Sequence, residues 1–184
     1  MTVTVRAAVR DDAASIAHVR TETWRAAYAG LIDDAVLARM DPATETVARA
    51  SRWDELHADP RGCELIAEFD GRLAGWAALG PSLDADLPDQ GHLYALYALP
   101  EFWSRGVGRA LLVEAEARLR AAGWTHAHLW VLDGNDRAAA FYEAHGWRED
   151  GATMVDERRG ADGRAHPLLE RRRVRDLDEV IPAR

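Results

Sequence analysis

The residues best able to do chemistry run from Ser104 to Arg109: Ser-Arg-Gly-Val-Gly-Arg. Two glycines let a backbone approach a ligand closely. A helix opening on them leaves its first N–H groups unpaired at the positive end of its dipole. Arg105 and Arg109 add positive charge. Such a turn is an anion cradle, with phosphate or pyrophosphate as its natural guest; the plainer reading is a tight turn between two packed elements. The dinucleotide fingerprint needs a third small residue where this chain has Leu111. The P-loop needs Lys-Ser/Thr after its last glycine, and here Arg109-Ala110 follows Gly108. Neither nucleotide motif fits.

A strand must deliver the chain to this turn and a helix must carry it away. The apolar run through Leu93, Leu96 and Leu99 reads as that strand, and Pro100, which cannot donate to a ladder, ends it. Leu111, Leu112, Ala115 and Leu119 share one face of the helix, which stops at Gly123.

The run from Leu96 to Leu112 resembles the acetyl-CoA signature of the GNAT superfamily of N-acetyltransferases, a strand, the pyrophosphate loop Q/R-x-x-G-x-G/A and a helix. Trp103 departs from the pattern, standing where Gln or Arg is usual. A second block, Asn135-Asp136-Arg137-Ala138-Ala139-Ala140-Phe141-Tyr142-Glu143-Ala144-His145-Gly146-Trp147, is similar to the family's N-x-x-A-x-x-F/L-Y-x-x-x-G-F. The resemblance covers nearly the whole chain and is loosest in the N-terminal third. It implies an α/β fold, with a mixed, mostly antiparallel sheet of about seven strands, a central splay and flanking helices.

The same resemblance implies acetyl-CoA as cosubstrate. Its pantetheine arm would pair with the main chain at Leu96, Tyr97 and Ala98, and its pyrophosphate with Ser104, Arg105, Gly106, Val107, Gly108 and Arg109. Asn135 would add a contact or serve as a plain helix cap. Tyr142 falls on the family's tyrosine beside the thioester sulfur, a suitable acid for the departing thiolate; otherwise it is a core tyrosine. Relatives carry Glu in a pattern like G-E-L-Y-A-L-Y-V, and this chain reads Gly91-His92-Leu93-Tyr94-Ala95-Leu96-Tyr97-Ala98. His92 thus holds the acid's place, as base or water relay, or as a structural histidine. Glu22 and Tyr94 are reserves, and the later strand has Trp130 where some members place Glu. Trp24 and Tyr28, four apart on one helical face, form either a core pair or an aromatic wall for the acceptor; a W-R-x-x-Y run recurs in a branch of the superfamily.

The function implied is transfer of an acetyl group from acetyl-CoA directly to a primary amine, on a small molecule or a peptide. The alternative is a degenerate acetyl-CoA-binding sensor or an interaction domain. No covalent enzyme intermediate is expected, because Cys63 lies outside both blocks.

The bulk properties bound this reading. The length of 184 residues suits one domain, 1–184. A net charge of −8 and a pI near 5.3 argue against a nucleic-acid partner. No apolar run is long enough to cross a membrane, and the alternating Met1-Thr-Val-Thr-Val-Arg is no signal peptide, so a cytoplasmic protein is expected. A lone cysteine and seven scattered histidines suggest no metal. A homodimer is compatible with all of this.

Along the chain, Val3 and Val5 alternate in a first strand, and Asp11 or Asp12 caps a helix with Ile16, Val19 and Thr23 inward. Short helices follow through Val36 and Leu37 and, opened by Asp41-Pro42, through Val47 and Ala50 towards Leu56. Asp70-Gly71 joins a hairpin from Cys63–Phe69 to Arg72–Leu79. The acidic loop from Gly80 to Gly91 is read as solvated, or as a screen for cationic amines at the cleft mouth. His126–Leu132 is a buried strand. From Trp147 a hairpin turns at Asp162-Gly163 and finishes on Leu168 and Leu169, and the tail from Asp176 is polar.

Overall fold

The computed structural model describes residues 1–179; positions 180–184 of the expected polar tail lie outside the described residues. Strand β1 (Val3–Ala7) is followed by helices α1 (Ala13–Ala27), α2 (Asp34–Ala38), α3 (Pro42–Ser51) and α4 (Trp53–Leu56). Strands β2 (Cys63–Phe69), β3 (Arg72–Pro81) and β4 (Gly91–Ala98) lead into α5 (Val107–Ala121). Then come β5 (His126–Leu132), α6 (Asp136–Ala144), β6 (Arg148–Arg159) and β7 (Ala165–Asp176). The seven strands form one sheet in the order β1-β2-β3-β4-β5-β7-β6. Every neighbouring pair is antiparallel except β4 and β5, as the resemblance implied.

Local chemistry explains most boundaries. Asp70 and Gly71 both take positive φ, +48° and +77°, the geometry of the tight hairpin turn that Asp-Gly favours. Asp41 caps α3 by accepting from Ala43 and Thr44, with Pro42 in the first turn. The expected run on to Leu56 is interrupted at Arg52, which ends α3 before α4 begins. Asp12 precedes α1 yet does not cap it. Its carboxylate instead accepts from Val9 N–H at 2.8 Å and from the Arg6 guanidinium at 2.7 Å, fixing the turn that joins β1 to the helix.

Helix α5 packs its Leu111, Leu112, Ala115 and Leu119 onto the sheet, all nearly or fully buried. Gly75 on β3 makes that approach possible. A Cβ there would sit 2.7 Å from Tyr97 O and 2.9 Å from Leu111 Cδ1. Trp147, fully buried, donates its indole N–H to Glu116 Oε1 at 3.0 Å, while Arg175 approaches the same carboxylate oxygen at 3.0 Å. A buried hydrogen bond to a charged group is worth about 2 kcal/mol. Trp147→Phe is therefore expected to lower unfolding free energy by about that amount, read from urea denaturation.

Strand β7 corrects the sequence reading. It does not finish at Leu169 but continues to Asp176, pairing with β5 over its whole second half, Leu132↔Glu170 to His126↔Asp176. Arg172, Arg173 and Arg175 on that half are buried, matched to Asp86 and Asp150, to Glu149 and to Glu116 respectively. The acidic loop meets the same strand. Asp84 accepts from the Trp130 indole at 3.1 Å, and the Arg172 guanidinium lies 2.8 Å from Asp86. Asp84 is thereby held against the sheet, while Asp86 keeps most of its side chain in solvent. No helix among the described residues is long and apolar enough to cross a membrane.

Candidate active site

Strands β4 and β5 pair only at Gly91↔Ala127 and His92↔His128. Beyond His92 they part. The gap opens into a cavity of about 670 Å³, lined by β4 from Leu93 to Ala98, by β5 from Trp130 to Leu132, by the start of α5 and by α6.

On the β4 wall the backbone is free to bind. Leu99 N–H donates to Ala74 O on β3 at 2.8 Å, so in the alternation of an antiparallel pair Ala98 and Leu96 turn their polar groups the other way, towards the gap. The Ala98 carbonyl confirms the direction. It accepts from Thr23 Oγ1 at 3.2 Å and from the Trp103 indole at 2.7 Å, leaving the Ala98 N–H for a ligand.

At the far end lies the glycine turn. Ser104 and Gly106 hold positive φ, +60° and +86°, which swing the chain into α5. Among the described residues the amides of Gly106, Val107, Gly108 and Arg109 donate to no backbone carbonyl, and Ala110 is the first to do so, to Gly106 O at 2.9 Å. Four amides at a helix start, unpaired and beside a cavity, are a ready anion site. Ser104, Gly106, Gly108 and Arg109 line the cavity. The Val107 side chain is buried in the core, and the Arg105 guanidinium lies over Phe69 at 5.8 Å, so these two residues can offer the cradle only backbone.

Trp103 explains its own departure from the family pattern. Its indole N–H fixes the Ala98 carbonyl, and the Arg137 guanidinium lies over its ring, 3.2 Å from the centroid. Arg137 lines the cavity, and burial lowers its pKa, because removing water penalises its charge. Sequence reasoning missed Arg137. The signal was present: a cation two residues past Asn135, inside the second motif block. Asn135 itself both lines the cavity and caps α6, accepting from Ala138 N–H at 3.1 Å.

Tyr142 stands in the lining from α6, only 8% exposed, with Phe141 and Trp147 edge-on to it. Burial and the neighbouring Tyr97 push its pKa well up, so the phenol keeps its proton at any working pH. Tyr28 and Tyr97 also line the cavity.

Three expected residues stand elsewhere. Trp24 does not reach the lining. It packs edge-on to Tyr28 at 5.0 Å in a small core with Ile32, Val36, Leu37, Leu132 and Leu168, between the guanidinium groups of Arg20 and Arg158. A helix presents neighbours four apart on one side, yet only the residue nearer its end reaches the gap. His92 also lies outside the lining, its ring 4.1 Å from that of His128 and tilted 44° to it, and burial pushes its pKa down to about 3. An imidazole that acidic is a weak base at neutral pH, so the expected base role finds no geometric support. Glu22, a reserve, is exposed and paired with Arg25 at 3.2 Å; Tyr94 lines the cavity, but burial pushes its pKa up to about 12. Among the described residues, those lining the cavity include no carboxylate or imidazole.

Comparison with known proteins gives the class. The fold is shared with the crystal structure of PaiA N-acetyltransferase from Thermoplasma acidophilum in complex with coenzyme A, at a TM-score of 0.68 and 22% identity, over 92% of this chain and 98% of that one. A spermidine N(1)-acetyltransferase of the same organism is 22% identical over 162 residues, 86% of this chain and 98% of the relative. An uncharacterized N-acetyltransferase of Bacillus subtilis, YuaI, is 30% identical over 143 residues, 78% of this chain and 79% of the relative. Fold and relatives together define an acyltransferase. Residues 24–147 match the model of the acetyltransferase (GNAT) family, and the chain belongs to that family.

Proposed function

We propose that the chain, as one domain, moves the acetyl group of acetyl-CoA directly to a primary amine. The observation that carries this is the row of free amides from Gly106 to Arg109 at one end of a cavity whose wall holds the buried phenol of Tyr142. Acetyl-CoA supplies an activated thioester. The amides of Gly106 to Arg109 hold its diphosphate, with Arg137 and Arg109 adding charge. The backbone of Leu96 and Ala98 aligns the pantetheine arm as if it were a further strand. The Ala98 N–H faces the carbonyl oxygen, where negative charge develops. Tyr142 donates a hydrogen bond to the departing sulfur. A coenzyme thiol titrates near about 8.5, so the phenol serves chiefly as a donor that steadies the thiolate.

With no ionisable base in the lining, the amine arrives neutral from solvent. For an acceptor with a pKa near 10.4, the neutral fraction rises about tenfold per pH unit below that value. The rate constant kcat/KM is expected to climb with that slope from pH 6 to 9. A plateau near neutral pH would point to a base in the enzyme.

The acceptor is tested by free-CoA release over a panel of amines, with polyamines and peptide N-termini included. Turnover with at least one amine supports transfer. Binding of CoA without turnover favours the sensor, and absence of CoA binding removes both readings. Arg137→Ala is expected to weaken CoA binding about five- to tenfold and to flatten its salt dependence, since a partly desolvated cation on a phosphate is worth about 1 kcal/mol or more.

A further inference from the structure

We propose that Asp84, His92 and His128 form a site for a divalent transition metal of the zinc type, which pins β4 to β5 at the closed end of the splay. The three side chains each bring one ligand atom, all within 4.8 Å of one another. His92 and His128 are opposite each other in the parallel ladder, which sets their rings side by side.

Burial makes these rings hard to explain otherwise. His128 is fully buried, and neither of its ring nitrogens has a hydrogen-bond partner; nor does His92 Nδ1. Buried polar atoms are nearly always satisfied, and an orphan commonly marks an ion or water. His128 Nε2 lies 3.4 Å from Asp84 Oδ2, close to the carboxylate yet without hydrogen-bond alignment. That spacing fits a shared metal as well as it fits an ion pair. Bonds of about 2.0–2.1 Å at tetrahedral angles put two ligand atoms roughly 3.3 Å apart.

The surroundings suit a cation. Asp84 is oriented by the Trp130 indole at 3.1 Å, as an outer group orients a metal-bound carboxylate. Arg172 lies 3.4 Å from the same oxygen, but its charge is shared with Asp86 and Asp150, both at 2.8 Å, so the region stays net negative. Two His and one carboxylate leave a fourth position for water.

The test uses the full chain, stripped with a chelator and titrated with zinc chloride alone. Uptake of one zinc per chain at submicromolar Kd is expected, and cobalt(II) in its place should give the intense visible bands of tetrahedral coordination. Asp84→Asn and His92→Asn should each weaken zinc binding at least about 100-fold, with CoA binding as the check that each variant is folded. His128→Asn should remove it. Failure to take up zinc stoichiometrically, or wild-type zinc affinity in folded Asp84→Asn and His92→Asn, overturns the site. These readouts do not depend on turnover, so they stand apart from the acetyltransferase reading.

Discussion

Tyr142→Phe is expected to lower kcat about 100-fold while leaving the Kd for CoA within about threefold, a hydrogen-bond donor's share of catalysis without a share in binding. The substitution removes one oxygen and keeps the ring, so the packing against Phe141 and Trp147 survives. The shift in the phenol's pKa comes from burial and from Tyr97, with no hydrogen bond contributing. Loss of the hydroxyl therefore strands no partner inside the protein, and stability should scarcely change. The effect belongs to the step in which the sulfur departs, so it should shrink when the acyl donor carries a better leaving group than the coenzyme thiol. Steady-state kinetics beside calorimetry on the same preparation separate the two parameters. Full turnover in the phenylalanine variant removes Tyr142 from the mechanism.

Gly106→Ala should weaken CoA binding by about 5- to 30-fold. Gly106 sits at φ +86°, and a side chain in that left-handed region costs roughly 1–2 kcal/mol. The space around it is open, so the penalty is conformational and not a clash. An empty loop can relax to a negative φ, but binding requires the four amides to converge again, and the strain then appears as lost affinity. Gly108→Ala is the informative contrast. A Cβ there meets Phe141 at 3.5 Å, ordinary contact, and Gly108 needs no positive φ, so its loss should be the smaller. Equal affinity of Gly106→Ala and the parent chain for CoA would mean that the turn is only a connection between β4 and α5.

Much of this molecule is legible in its sequence, and the reason is range. Turn chemistry at Asp70-Gly71, the cap at Asp41-Pro42 and the glycine turn before α5 act over a few residues, so their signals sit next to one another in the chain. The two motif blocks carried the family and the splay in the same local way.

What the sequence could not decide depends on register and on neighbours far along the chain. Trp24 and Tyr28 look alike as a helical pair, and only the position of α1 against β4 and β5 sends Tyr28 to the cavity and Trp24 into a core. The sequence reading ends the last hairpin at Leu169, short of Arg172, Arg173 and Arg175; their carboxylate partners on the 82–90 loop, β6 and α5 are absent from any local window. His92 matched an acid's place in a motif, but the strand opposite set His128 beside it and burial removed its basicity. Trp103 and Arg137, more than thirty residues apart, became one stacked pair only when α6 folded over the glycine turn. The sequence by itself determined most of the elements and the glycine turn, since those rest on local backbone chemistry. Tertiary structure alone decided which side chains face the cavity, since that rests on how distant elements pack.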